Sequence, residues 1–164
     1  MKRIGILTAG GDTPALNATL HGAVQRANAL QIDVLGILKG FASLLDPHVP
    51  HVLLNPSYST IAELDPCQGG TILGASRTYL DPHKPDESQR IIDRLHRLHI
   101  EGLICVGGDG TLNAMQVLAD DFPCVLAPKT IDNDLGLNDA DEPDEWQSSE
   151  SSTDGKSNVR KVQG

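Results

Sequence analysis

The sequence predicts an α/β protein, a three-layer sandwich in which helices cover both faces of a mostly parallel sheet. Short apolar runs of strand length alternate along the chain with segments whose apolar residues recur at helical spacing. Such runs are typical of strands that are buried on both faces. Because parallel neighbours need a crossover connection, the alternation of strands with helices predicts parallel pairing.

The first strand and the first helix lie at the start of the chain. Residues 3–8 form a short apolar run, and residues 9–14, which contain two glycines, predict a loop after it. Pro14 suits the first turn of the next helix, where a missing N–H costs no intrahelical bond. The apolar residues of this helix recur at helical spacing and predict a buried face: Leu16, Leu20, Ala23, Val24, Ala27 and Leu30.

The remaining elements continue the alternation. Residues 34–38, 103–106 and 123–127 are apolar runs that predict strands. Residues 87–99 and a segment that begins at Thr111 predict helices, since their apolar residues fall on one side.

The C-terminal part of the chain has a different composition. Residues 136–164 are acidic and rich in serine, with seven acidic residues against three basic ones. A segment with so few apolar side chains cannot bury enough surface to offset its ordering entropy. We therefore expect a folded domain over residues 1–135 and a disordered tail over residues 136–164.

The net charge disfavours some classes of partner, and the cysteines indicate the redox environment. A formal net charge of −9 disfavours binding to nucleic acid or to anionic membranes, and no apolar run resembles a signal peptide or a membrane span. Cys67, Cys105 and Cys124 lack the spacing of a metal site. Cys105 and Cys124 lie in apolar runs, and we expect buried thiols in a reducing cytoplasm.

The segment Gly107-Gly108-Asp109-Gly110-Thr111 joins a predicted strand to a predicted helix. Glycines at such a place let main-chain N–H groups approach an anion at the helix N-terminus. A carboxylate among these donors is explained if Mg²⁺ bridges it to phosphate oxygens. The segment thus indicates a nucleotide-phosphate site with Asp109 as a metal ligand. A turn with a purely structural role is the alternative.

The predicted sheet gathers several loops rich in glycine, carboxylate or hydroxyl groups. Ligands of such sheets bind beyond the carboxyl ends of the strands, so residues 10–14, 107–111 and 128–134 would lie at one edge. This shared edge favours the interpretation as a phosphate site.

Thr130, Asp132 and Asp134 alternate in the last of these loops, and in an extended chain they would project to one side. One carboxylate could accept the proton of a hydroxyl nucleophile while the other supports it or contacts the metal, as in phosphoryl transfer. A solvated acidic turn is the alternative.

Four segments together resemble the phosphofructokinase family. They are residues 10–14 (GGDTP), 69–77 (GGTILGASR), 107–111 (GGDGT) and 128–134 (PKTIDND), in the order and spacing of that family. GGDGT alone also occurs in NAD kinases and diacylglycerol kinases, but those families leave the other segments unexplained. The resemblance covers residues 1–135 and implies the Rossmann-like N-terminal lobe of a 6-phosphofructokinase.

The resemblance also implies roles for individual residues. Asp132 would remove the proton from the 1-hydroxyl of fructose 6-phosphate, Thr130 would contact that substrate and Asp134 would assist. Asp109 would bind Mg²⁺. The residues that would hold the phosphoryl donor are Gly11, Arg77, Thr78, Gly108, Asp109, Gly110, Thr111 and Lys129.

The implied function is that of a cytoplasmic glycolytic kinase with ATP and fructose 6-phosphate as substrates, a homo-oligomer in the full-length family. Gly110 favours ATP, because pyrophosphate-dependent members carry an aspartate there, which would repel the α-phosphate of a nucleotide. Lys129 is usual in pyrophosphate-dependent members, and a pyrophosphate enzyme is therefore the alternative. The family continues with a second lobe that residues 136–164 do not resemble. We accordingly expect a truncated chain, or else a catalytically inactive remnant that binds nucleotide.

Overall fold

The chain divides into two units, Met1–Ile131 and Asp132–Gly164. The computed structural model describes most of the first unit, namely residues 2–11, 13–78, 80–81 and 83–130. The predicted tail and the predicted domain boundary at residue 135 lie outside the described residues.

Five strands form one sheet: β1 (Arg3–Thr8), β2 (Asp33–Ile37), β3 (His51–Leu53), β4 (Leu103–Gly107) and β5 (Cys124–Pro128). Their order across the sheet is β3-β2-β1-β4-β5. Only β2 and β3 are antiparallel among the neighbouring pairs of these described strands. In the register of the sheet, Gly5 of β1 lies between Leu35 of β2 and Leu103 of β4. The mostly parallel sheet predicted from the sequence is confirmed.

Helices cover both faces of this sheet: α1 (Ala15–Ala29), α2 (Phe41–Leu45), α3 (Pro85–Arg97) and α4 (Asp109–Ala119). Ile6 and Leu7 are consecutive in β1 and point to opposite faces. Ile6 belongs to the apolar layer that includes Leu20 of α1. Leu7 belongs to the other layer, with Ile91 of α3 and Leu118 of α4. These two layers confirm the three-layer α/β sandwich.

The sequence does not predict α2 and β3, which have five and three residues. Elements as short as these contain too few apolar repeats to show a period. Pairing with β2 holds β3 at one edge of the sheet, so its conformation depends on the assembled fold rather than on its own residues.

The helix boundaries differ from the predicted ones by two residues at three places. α3 begins at Pro85 because proline is favoured at the first helical position. It ends at Arg97 because His99 has a φ of 57°, the left-handed conformation that ends many helices. α4 begins at Asp109 because Gly108 has the extended backbone of an N-cap. None of the described helices is long and apolar enough to cross a membrane.

The cysteines differ in exposure. Cys105 is buried, as predicted, but Cys124 is only partly buried because β5 is an edge strand, and Cys67 is exposed. The expectation of a buried Cys124 was therefore wrong. Burial raises the pKa of the Cys105 thiol far above its usual range and raises the pKa of Cys124 to about 11. Both thiols are protonated near neutral pH.

Candidate functional site

The candidate site lies where the order of the strands reverses. β2 lies on one side of β1 and β4 on the other, so the connections leave β1 in opposite directions. The carboxyl ends of the parallel strands β1, β4 and β5 are therefore side by side at one edge of the sheet. Ligands of open α/β sheets bind at such a switch point, and a cavity of about 230 Å³ lies at this place.

The cavity brings together most of the residues that the sequence analysis assigned to the phosphoryl donor. They come from the loop after β1, from the irregular segment at residues 76–78, from the start of α4 and from the end of β5. The assigned residues that line it are Gly11, Arg77, Thr78, Gly108, Gly110, Thr111 and Lys129. Asp109, the eighth, has an exposed side chain beside this lining.

The first turn of α4 presents main-chain donors at the cavity. Gly108 is the N-cap, and its carbonyl accepts the N–H groups of Thr111 at 2.9 Å and of Leu112 at 3.1 Å. The earliest N–H groups of an α-helix have no acceptor within the helix. Together with the helix dipole, they favour an anion at this end of α4.

Close packing requires glycine at one of two positions near this turn, Gly107, and not at the other, Gly110. A Cβ on Gly107 would overlap the Thr111 hydroxyl and lie 3.0 Å from the Ala9 carbonyl, so close packing requires glycine there. A Cβ on Gly110 would meet no atom within 4 Å. Glycine weakens a helix relative to alanine, and packing among the described residues does not require it at Gly110. The open space beside Gly110 is therefore available to a ligand.

Lys129 joins two of the segments that border the cavity. Its ammonium group donates to the Gly11 carbonyl at 2.6 Å, and its backbone N–H donates to the Gly107 carbonyl at 3.0 Å. The side chain thus holds the loop after β1 against the end of β5. An ammonium group carries three N–H donors, so the bond to Gly11 leaves two that can face an anion.

Arg77 brings a second cation to the cavity. The carbonyl of Ser76 accepts the Gly10 N–H at 3.2 Å, which places this segment beside the loop after β1. Arg77 is exposed and Thr78 is half-buried, and both line the cavity. In the part of the chain that the structure describes, no carboxylate pairs with Arg77. Its guanidinium group is therefore available to phosphate oxygens, which it can bind in bidentate fashion.

Asp109 is the first residue of α4, and its side chain is exposed. No group of three or more histidine, cysteine or acidic side chains among the described residues could hold a metal ion by itself. Mg²⁺ in phosphoryl-transfer sites needs only one or two carboxylates, because water and phosphate oxygens complete its shell. A single carboxylate beside an anion site therefore fits Mg²⁺ that binds together with a nucleotide.

The residues assigned to the acceptor are described only in part. Thr130 is half-buried and follows Lys129 directly. Asp132 and Asp134 lie outside the described residues, and their roles stay predictions.

Phe41 and Ser76 line the cavity as well, although the sequence did not predict a role for either. Phe41 is buried at the start of α2 and follows the carboxyl end of β2. Had the rule about carboxyl ends been applied to β2 as well, it would have indicated Phe41. Ser76 lies in the segment of residues 69–77, where only Arg77 had a predicted role.

Comparison with known proteins shows which family the chain resembles. The phosphofructokinase family model matches residues 3–140. The ATP-dependent 6-phosphofructokinase of Oceanobacillus iheyensis is 38% identical over 141 residues, which are 85% of this chain and 42% of that protein. The enzyme of the same name from Bacillus cereus is 39% identical over 136 residues, 82% of this chain and 41% of that protein. The chain thus spans about two-fifths of the length of these relatives.

Solved structures are similar in fold. The phosphofructokinase of Saccharomyces cerevisiae matches with a TM-score of 0.60 at 23% identity, over 82% of this chain and 21% of that one. A pyrophosphate-dependent phosphofructokinase from Nitrosospira multiformis matches with a TM-score of 0.64 at 19% identity, over 80% of this chain and 34% of that one.

Proposed function

The chain belongs to the phosphofructokinase family, and from this premise we propose that its described domain binds the phosphoryl donor of an ATP-dependent 6-phosphofructokinase. The observation that carries the proposal is the cavity at the switch point, where the start of α4 and two cationic side chains border the same space. Phosphoryl transfer depends mainly on positioning and on the stabilisation of negative charge. These groups supply both.

Each wall of the cavity has a defined part in the proposed binding of ATP. The N–H groups at the start of α4 bind phosphate oxygens and orient them. Arg77 and Lys129 neutralise the phosphate chain from the other walls, and Gly110 leaves room for it. When bound, Mg²⁺ supplies further neutralisation of the phosphates, with Asp109 as its ligand from this chain.

We propose fructose 6-phosphate as the acceptor, because the similar bacterial proteins are named ATP-dependent 6-phosphofructokinases. Asp132 then accepts the proton of the 1-hydroxyl group as that oxygen attacks the γ-phosphorus. Thr130 contacts the sugar phosphate, and Asp134 supports Asp132. The reaction is a step of glycolysis in the cytoplasm, and the homo-oligomer that the resemblance implies is proposed for the full-length protein alone.

Pyrophosphate is the second candidate donor, and Lys129 is the observation that favours it. However, the bond from Lys129 to the Gly11 carbonyl gives this lysine a role that does not depend on the donor. The open space beside Gly110 has no such second explanation among the described residues. The balance of these two residues supports ATP.

Calorimetric titration of the 164-residue chain tests the donor site, with MgATP and magnesium pyrophosphate as the two ligands. We expect MgATP to bind and Arg77→Met to raise its Kd about tenfold, because a charged hydrogen-bonding partner of the phosphates is lost. Arg90→Met is the matched control, since Arg90 is an exposed arginine of α3 outside the cavity lining. Binding of pyrophosphate without ATP would favour the second candidate. Equal effects of the two substitutions would contradict the proposed site.

A further inference from the structure

The segment at residues 68–78 brings Arg77 to the cavity although it contains no helix or strand. An irregular segment has no ladder of backbone bonds of its own, so its polar groups need partners elsewhere. Those partners determine where Arg77 lies. They are found on β1, on the turn after β2 and on α1, where Asn17 bonds to the backbone of residues 68, 70 and 72.

Thr8, the last residue of β1, is the most deeply buried of these partners, with no exposed surface. Its hydroxyl donates to the Gly74 carbonyl at 2.8 Å and lies 3.0 Å from the hydroxyl of Thr71. Because a hydroxyl has only one proton, Thr71 must be the donor to Thr8. The Thr71 hydroxyl in turn accepts the Leu73 N–H at 3.2 Å. The result is a directed chain of bonds from Leu73 through Thr71 and Thr8 to Gly74.

Backbone bonds extend this attachment on both sides. The Lys39 N–H donates to the Leu73 carbonyl at 2.8 Å, and the Gly10 N–H donates to the Ser76 carbonyl at 3.2 Å. Gly10 follows Thr8 by two residues, in the loop after β1 that lines the cavity. A shift of the chain at Gly74 would therefore move both Arg77 and the loop after β1.

We propose that Thr8 and Thr71 form a positioning pair, which fixes the Arg77 segment relative to the loop after β1 so that both meet the phosphates of the donor. The inference rests on the proposed function, because it assigns the pair a purpose in donor binding. A purely structural role would lower stability when the pair is lost but leave donor affinity unchanged. Donor affinity therefore separates the two roles.

The test uses a substitution that keeps shape and removes the hydroxyl. Thr8→Val leaves the Gly74 carbonyl and the Thr71 hydroxyl without this partner, while Thr8→Ser restores the hydroxyl. The matched control is Asn55→Ala. Asn55 is also fully buried, and its side chain accepts the Val34 N–H at 2.7 Å and donates to the Ile32 carbonyl at 2.8 Å. These bonds lie near the amino end of β2, away from the cavity.

The measurements are the Kd of MgATP by calorimetry, urea unfolding, and hydrogen exchange of the amides at residues 71–78. We expect Thr8→Val to raise the Kd about tenfold and to speed the exchange of these amides. Thr8→Ser should restore both values. Asn55→Ala should reduce stability and leave the Kd within about twofold of the value for the unsubstituted chain. A twofold change in Kd is a smaller free energy than one hydrogen bond contributes. If Thr8→Val does not fold, Thr71→Val replaces it. This substitution removes the Thr71 hydroxyl but keeps the bond from Thr8 to the Gly74 carbonyl, so we expect a smaller rise of the Kd.

Two results would overturn the inference and leave the proposed function standing. They are an unchanged Kd in the folded threonine-to-valine variant, or an equal rise of the Kd in Asn55→Ala. If the folded starting chain does not bind MgATP at all, the proposed function fails and the inference fails with it. The behaviour of the unsubstituted chain therefore distinguishes the two failures.

Discussion

Replacement of Gly110 by alanine should stabilise the fold and at the same time weaken the binding of ATP. Gly110 is the second residue of α4 and is not among the glycines with positive φ. An alanine side chain there would meet no atom of the described residues within 4 Å. The fold therefore tolerates the methyl group, and only a ligand would compete with it for space.

The gain in stability follows from the helix propensities. Glycine in a helix is about 0.5–1 kcal/mol less favourable than alanine. Gly110 lies in the first turn of an 11-residue helix. Because the penalty for glycine is smaller in the first turn than in the helix interior, we expect Gly110→Ala to raise the free energy of unfolding by about 0.5 kcal/mol. For a chain of this size, the corresponding rise in Tm is roughly 1–2 °C.

The loss of affinity follows from the same methyl group. If the phosphate chain of ATP lies against Gly110, the alanine methyl group occupies the same space. ATP can then bind only if the phosphates or the start of α4 shift. Overpacking of this kind costs about 1–3 kcal/mol, so the Kd of MgATP should rise by about 5- to 150-fold. Urea unfolding and calorimetric titration of the same preparation measure the two effects.

Two other glycines serve as controls. Gly22 lies within α1, and a Cβ there also meets no atom within 4 Å, so Gly22→Ala should raise stability and leave the Kd unchanged. Gly107→Ala should lower the free energy of unfolding by about 1–3 kcal/mol, because its Cβ would overlap Thr111. If Gly110→Ala binds MgATP as tightly as Gly22→Ala does, the space beside Gly110 is not the donor site and the reasoning is refuted.

Three further predictions concern a metal ligand, a lysine and a thiol. Asp109→Asn should remove most of the Mg²⁺ dependence of ATP binding in calorimetry while Asp132→Asn, on the acceptor side, leaves it intact; equal losses would contradict these roles. Lys129→Met should weaken MgATP binding and lower the free energy of unfolding by about 1 kcal/mol in urea, because the Gly11 carbonyl loses its donor; unchanged stability would show that this bond is dispensable. The pKa of the Cys124 thiol is about 11 in the fold against about 8.5 in an unfolded chain, so the unfolded chain loses this proton first and stability falls as the pH rises from about 8.5 towards 11. Cys124→Ser should make that decline shallower in urea unfolding at pH 8, 9 and 10, and an unchanged slope would contradict it.

The elements that the sequence predicts are those whose stabilisation is local. β1 is predicted to the residue, since its apolar run has the length of a strand and glycines follow it. The apolar spacing of α1 likewise appears within the helix itself. His51–Leu53 has no such signal, because its strand conformation comes from pairing with β2.

The same distinction applies to the site. The loops at the cavity are predictable because each follows an apolar run, and parallel strands end at one edge. The bonds that shape the cavity are not predictable in this way. Thr8 and Thr71 are 63 positions apart, and Lys129 and Gly11 are 118 positions apart. Each contact exists only after the whole sheet has assembled, so no local pattern records it.

These long-range contacts also bear on the conflict between Gly110 and Lys129 over the donor. In the sequence, each residue indicates a donor only through its resemblance to the family: Gly110 favours ATP, and Lys129 favours pyrophosphate. The structure separates what each residue does: Lys129 bonds to the Gly11 carbonyl within the fold itself, whereas Gly110 borders space that no described side chain fills. A residue with a structural task is a weaker indicator of the ligand than one whose identity the fold does not require. The weight therefore falls on Gly110, and the absence of a carboxylate at this position leaves the nucleotide as the donor that we propose.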